Sequence, residues 1–169
     1  SWNLYNGIRC VSEFLESIEK VDFSKYMYDA DYEREMEHLK TFPYQARTLR
    51  AFYLFELARR YGDIPVPMKM LTIEEANSIE KTPFDQVVDF IVSECDECAA
   101  NLPETYMNMM DQEYGRVTKG FAMAVKSKTL LYAASTLHNP EGDTEKWKKA
   151  AKAALDIINL GIYVLDSGE

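Results

Sequence analysis

No apolar run in this chain approaches the ~20 residues that a helix needs to cross a bilayer. A transmembrane helix is therefore not expected. No secretory leader is visible either, and the first residue is Ser1, not Met. A processed chain or an excised piece of a longer one is expected, so the missing targeting segment does not locate the parent protein. Cysteine is scarce. Three residues, Cys10, Cys95 and Cys98, are an odd and small number that cannot form a disulfide scaffold. Histidine is scarcer, with only His38 and His138. A zinc site built on Cys95 and Cys98 would need two more ligands, so no metal is expected. A redox Cys-x-x-Cys pair sits at a helix start, where the dipole stabilises thiolate. This pair falls deep inside a helical stretch and is expected to pack in the core.

Positive charge is also short. With 19 Lys and Arg against 28 Asp and Glu, the formal net charge is −9. Nucleic-acid binders gain affinity by neutralising phosphates, so an acidic chain without a basic stripe argues against that class. Anionic membrane surfaces are disfavoured for the same reason. Lys146, Lys148, Lys149 and Lys152 lie at helical spacing and read as a solvated face. Nucleophile and phosphate motifs are missing: no Gly-x-Ser-x-Gly, no Gly-rich phosphate loop and no His-Glu-x-x-His occurs. Acidic groups are plentiful, as in Glu33, Glu35 and Glu37, Glu74 and Glu75, and Asp96 and Glu97. A glycosidase needs two carboxyl groups across a cleft, one with a raised pKa. These carboxylates instead lie on polar helix faces near Lys and Arg. Neither catalysis nor a cofactor is expected.

What is present is apolar and aromatic. In 169 residues, 47% apolar and 12% aromatic side chains can build the core of one domain. The spacing predicts five helices, and no alternating strand pattern competes with them. The first, from about Asn3 to Lys20, carries Leu4, Ile8, Val11, Leu15 and Ile18 on one face. The second region runs from about Asp29 to Tyr61, with a break or kink expected near Thr41–Pro43. Beyond that break Ala46, Leu49, Tyr53 and Leu57 form one stripe, and Ala51, Phe55 and Ala58 another. Gly62 is expected to stop this helix, and Pro65 and Pro67 to prevent a restart. The third, Pro83 to Leu102, is expected to use Thr82 as cap. Its single face is Phe84, Val87, Val88, Ile91, Cys95, Cys98 and Leu102. The fourth, Val117 to about His138, places Phe121, Ala124 and Leu131 on one side and Met123, Leu130 and Leu137 on another. The fifth, Thr144 to Leu160, opens with Trp147 and continues Ala150, Ala151, Ala154, Leu155 and Ile158.

Connections are expected at 62–82, 103–116 and 139–143. The middle one, rich in Met and Tyr, is expected to pack down in part. Narrow-striped helices alternate with two-sided ones, the pattern of stacked helix pairs. The fold class expected is therefore all-α, a tetratricopeptide-like right-handed helical array in one domain spanning 1–169. The fifth helix would lack a partner in such an array, which reads as truncation.

Several segments resemble the SusD/RagB family, in that family's order. Trp2 to Glu16, WNLYNGIRCVSEFLE, resembles its early helix. Ala46 to Pro67, ARTLRAFYLFELARRYGDIPVP, is similar to its Leu-Arg-Ala-aromatic helix closing in Tyr-Gly-Asp-hydrophobic-Pro. Thr82 to Pro103 resembles the following helix. Gly115 to Ser135 carries a similar Gly-Arg-x-Thr-Lys start and Leu-Tyr-Ala-Ala-Ser end, and Trp147 to Leu165 resembles a Trp-x-x-Ala-Ala helix ending in Gly-x-Tyr-x-Leu. Ser12 departs from the pattern, where the family often has Asn. The resemblance implies a lipoprotein on the outer face of the bacterial outer membrane. Such a protein caps a TonB-dependent, SusC-like transporter and binds oligosaccharides or other nutrients. It also implies a chain several times longer, with a lipid anchor outside this sequence.

Sugar recognition needs a flat aromatic face beside amide or guanidinium donors. Trp2, Asn3 and Tyr5 form the one compact set of that kind and are the expected ligand contacts. Structural roles are expected for Arg50, which needs a carboxylate or carbonyl partner if buried. The same holds for Gly62 as helix stop, and for Arg116 tying its loop to a helix end through carbonyls. Trp147 matches a core-packing position of tetratricopeptide-like repeats. Tyr26, Tyr28 and Tyr32 with Met27 form a candidate exposed patch. Nutrient capture is the function this reading favours; a general helical-repeat adaptor and an all-α enzyme are the alternatives.

Overall fold

The computed structural model describes residues 2–106 and 115–164, with Trp2 as backbone alone. Among the described residues seven α-helices follow one another: α1 (Trp2–Ile18), α2 (Tyr32–Leu39), α3 (Phe42–Tyr61), α4 (Ile73–Ser78), α5 (Phe84–Asn101), α6 (Lys119–Ala133) and α7 (Thr144–Ile158), with one 3-10 turn at Ser24–Tyr26. The main packing runs α1 on α3, α3 on α5, α5 on α6 and α6 on α7, with α3 also touching α6. The fold is all-α, as the alternating stripes predict.

The core gathers where α3 is enclosed. Ile8 from α1, Ala51, Leu54, Phe55, Leu57 and Ala58 from α3, Val87, Ile91 and Cys95 from α5, and Val125 from α6 make one buried cluster. Close approach of α1 depends on Gly7, because a Cβ there would meet the Tyr53 ring at 2.7 Å. The expected break before α3 is present. Pro43 sits in the first turn of α3, where its missing N–H is no loss. Gly62 ends α3 at φ +69°, a backbone state that side chains with a Cβ rarely adopt.

Three expectations need correction. Residues 62–82 are not irregular throughout, because Thr72 starts the short α4. Its hydroxyl accepts from the Glu75 N–H while the Glu75 carboxylate accepts from the Thr72 N–H, a reciprocal capping box. Thr82 does not cap α5. Its backbone is spent on an isolated antiparallel bridge with Ile64, and Asp63 accepts the Phe84 N–H at 2.8 Å instead. The fourth helix stops at Ala133, short of His138, as turns take over at Ser135 and His138. The Ser135 hydroxyl donates to the Tyr132 carbonyl at 2.6 Å, occupying an acceptor at that helix end.

On α6 the buried face differs from the one expected, and on α7 Ala150 is buried as expected while the other residues of its stripe are not. On α6 the buried set is Gly120, Ala122, Val125, Thr129 and Ala133, while Phe121, Ala124, Leu131 and Leu137 are exposed and Met123 and Leu130 half-buried. On α7 only Ala150 and Ala153 are buried, and Ala151, Ala154, Leu155 and Ile158 face outward. Trp147, expected in the core, is 49% exposed on that outward side. Small residues allow α5, α6 and α7 to approach closely, and the larger apolar side chains are left outside. The 139–143 turn is held by Asn139, which donates to the Asp143 carbonyl and accepts from its N–H. His138 stacks on Phe84 with ring centroids 3.6 Å apart, pinning that turn to the start of α5. Part of the Met- and Tyr-rich connection, residues 107–114, lies outside the described residues. Its leading Tyr106 is buried.

Candidate functional site

A cleft of about 550 Å³ lies between α1 and the segment leading into and through α4. One wall is a single face of α1: Tyr5, Asn6, Ile8, Arg9 and Ser12. Tyr5 and Arg9, and Ile8 and Ser12, are four apart, and Asn6 and Arg9 three apart, the spacings that share a helix side. The other wall is Pro65, Pro67, Lys69, Leu71, Ala76 and Ile79. Its shape follows from the sequence. Gly62 releases the chain from α3, and the two prolines hold it extended. The Ile64–Thr82 bridge closes the base of the excursion.

Two contacts fasten the excursion to α1. The Tyr5 hydroxyl donates to the Pro65 carbonyl at 3.1 Å, and the Glu16 carboxylate accepts the Met70 N–H at 2.9 Å. Burial pushes the Tyr5 phenol up, so it stays a neutral donor. Lys69 pairs with Glu75 at 2.6 Å. Hydrogen bonding to Glu75 raises the Lys69 ammonium, and the same bond, with that from the Thr72 N–H, holds Glu75 below the usual carboxylate range. The cleft is thus mostly aliphatic, and its carboxylates are already engaged. Arg9 and Asn6 differ. Among the described residues neither side chain has a hydrogen-bond or ion-pair partner, and both are exposed at the mouth.

Of the ligand contacts expected from sequence, Tyr5 lines this cleft. Asn3 is exposed but two residues from Tyr5, about 200° around a helix of 3.6 residues per turn, so the two do not share a face. The side chain of Trp2 lies outside the described residues. Asn6 and Arg9 were not anticipated, although Arg9 stands one turn beyond Tyr5 and helical spacing alone joins them. Lys69 and the prolines opposite carry no local signal that they face α1.

The residues expected to be structural divide as follows. Arg50 is buried between α3 and α5, and Glu94 accepts from it at 2.8 Å, the carboxylate partner that burial demands. Glu94 also binds Arg47 at 2.6 Å, and Arg47 reaches Glu97 at 2.5 Å. Burial alone pushes the Glu94 carboxyl up, but the Arg47 and Arg50 guanidiniums outweigh it and hold it low. Arg47 is held charged by Glu97 and then Glu94. Arg116 stacks its guanidinium 4.9 Å from the Phe42 ring centroid, so a cation–π contact anchors it at the start of α3. Cys95 and Cys98 are buried and free, and burial pushes both thiols up, the opposite of an activated thiolate. Core packing describes them. The Tyr26, Met27 and Tyr28 patch is exposed, while Tyr32 is half-buried.

The fold is a stack of helices presenting an open, largely aliphatic cleft with unengaged donors at its mouth. Comparison with known proteins narrows this. A family model described as SusD-like, starch-binding and associating with the outer membrane matches residues 1–131. The chain belongs to the SusD-like family. A SusD-like carbohydrate-binding protein from Bacteroides fragilis is 28% identical and superposes with a TM-score of 0.73, covering 98% of this chain and 28% of that one. A SusD homolog from Bacteroides thetaiotaomicron is 23% identical, with a TM-score of 0.74 over 96% of this chain and 29% of its own length. Surface glycan-binding protein A from Bacteroides uniformis is 22% identical, with a TM-score of 0.70 over 98% of this chain and 32% of its own. The chain therefore spans about a third or less of these structures, and the last two likenesses concern the fold alone. No curated protein matches the chain.

Proposed function

We propose that this chain is part of a non-catalytic nutrient-capture protein on the outer face of the bacterial outer membrane. It binds an oligosaccharide and passes it to a TonB-dependent, SusC-like transporter, and a lipid anchor holds the whole protein at that face. The observation that carries this reading is the extent of the family match: residues 1–131 include both walls of the α1–α4 cleft. The cleft adds physical support. Pocket walls of aliphatic groups cover sugar C–H faces, and a few placed polar groups orient the hydroxyls. Tyr5 supplies part of the wall; Asn6 and Arg9 supply the donors. Trp2, one turn before Tyr5, and Asn3 at the same helix end are candidates for flanking contacts.

Isothermal titration of the full-length protein against a panel of neutral and charged oligosaccharides tests this. At least one panel member is expected to bind, and replacing both Asn6 and Arg9 by Ala is expected to weaken it about tenfold or more. Absence of binding across the panel, with no transporter retained on the protein during membrane purification, would overturn the reading.

A further inference from the structure

We infer that the α1–α4 cleft selects an anionic oligosaccharide, one whose sugar carries a carboxylate or a sulfate ester. This rests on the glycan-capture reading and names the class of ligand within it. The argument is an inventory of donors and acceptors. A neutral sugar hydroxyl both donates and accepts, so a site for neutral sugars offers carboxylates or carbonyls alongside its donors. Here the carboxylates beside the cleft and the Pro65 carbonyl already hold donors, which leaves the neutral amide oxygen of Asn6, and no free carboxylate, as the acceptor at the mouth among the described residues. Glu16 takes the Met70 N–H, Glu75 takes Lys69 and the Thr72 N–H, and the Pro65 carbonyl takes the Tyr5 hydroxyl. The Ser12 hydroxyl is turned back onto the Ile8 carbonyl at 3.2 Å.

The donors are the reverse. Arg9 offers a complete guanidinium with no partner among the described residues, and it forms no ion pair with Glu13 one turn further on. Asn6 adds an unengaged amide on the same helix side. A guanidinium fork fits two anionic oxygens and has no acceptor of its own. The opposite wall, Pro65, Pro67, Leu71 and Ile79, is aliphatic. It suits the C–H face of the ring while its anion points out to Arg9.

Four probes separate the outcomes: a galacturonate tetrasaccharide, its methyl ester, a sulfated oligosaccharide and a neutral glucose tetrasaccharide. Each is titrated into the protein and into Arg9→Gln, Arg9→Lys and the remote charge control Lys148→Gln. Circular dichroism checks that the variants fold. At least one anionic probe is expected to bind about tenfold more tightly than both the methyl ester and the neutral probe. Arg9→Gln is expected to erase that preference, Arg9→Lys to keep part of it, and Lys148→Gln to leave it intact. Which anionic probe binds more tightly distinguishes carboxylate from sulfate. Equal affinity for charged and uncharged sugars, or a preference that survives Arg9→Gln, overturns the inference while leaving glycan capture standing. If none of the four probes binds, this inference falls, and glycan capture falls with it only when the wider panel also fails and no transporter is retained on the protein.

Discussion

Arg50 keeps 4% of its side-chain surface exposed, so its guanidinium depends on the Glu94 carboxylate for a partner. A buried charge left without its partner costs about 3–5 kcal/mol. Glu94→Ala is expected to destabilise the fold by that amount, read from urea denaturation at neutral pH. The pH dependence has a definite sign. The folded carboxyl lies below its unfolded value, so its contribution is complete above about pH 4.3 and is lost as pH falls through the lower folded value. Urea midpoints of the protein and of Glu94→Gln should therefore converge on going from pH 7 to pH 3. Arg50's need for a carboxylate could be read from its apolar neighbours. That the partner is Glu94, 44 residues away, could not, because only the α3–α5 packing brings them together.

Short elements depend on their caps more than on their propensities. α4 has six residues, too few to be stable alone, and its start is held by the Thr72–Glu75 box. Thr72→Ala is expected to cost about 1 kcal/mol locally. Hydrogen exchange should show faster exchange at the Glu75 and Ile79 amides, with the amides of α3 unchanged. Because Ala76 and Ile79 wall the cleft, the same variant loosens one side of the site. The Thr-x-x-Glu signature was present in the sequence, but it lies among prolines and precedes no apolar stripe, so α4 went unread. At the other extreme α5 was legible almost residue by residue, since its one face of Val87, Ile91, Cys95 and Cys98 turns toward both α3 and α6. On α6 and α7, periodicity alone favours the larger apolar residues as the buried set. The packed interfaces instead select Ala122, Thr129, Ala133 and Ala153, with Ala150 the one stripe residue of α7 that is buried.

At the scale of the whole molecule, stability concentrates where α3 is surrounded. Leu54 has no exposed surface and contributes to the cluster drawn from α1, α3, α5 and α6, whereas Leu131 on α6 is 51% exposed. Leu54→Ala is expected to cost about 2–5 kcal/mol, and Leu131→Ala to stay within about 0.5 kcal/mol of the parent. Chemical denaturation of the two variants, with a common slope, checks both. Neither reading of sequence stripes alone separates these leucines. Leu54 belonged to no stripe assigned to its helix, and Leu131 did.

Local sequence alone carried the helical class, the break before Pro43, the stop at Gly62, the buried cysteine face of α5 and the family to which the chain belongs. Each of these is a local property: backbone restriction at Pro or Gly, or a repeat of three and four residues. Packing in three dimensions was needed to settle which face of α6 turns inward, that Ala153 and not the larger residues joins Ala150 on the buried side of α7, which carboxylate neutralises Arg50, and that Asn6 and Arg9 stand opposite Pro65, Pro67 and Leu71. The reason is physical. Contacts between segments 40 to 70 residues apart depend on how closely whole helices can approach, and that distance is set jointly by side chains such as Gly7, Ala122 and Ala150, not by any one window of sequence.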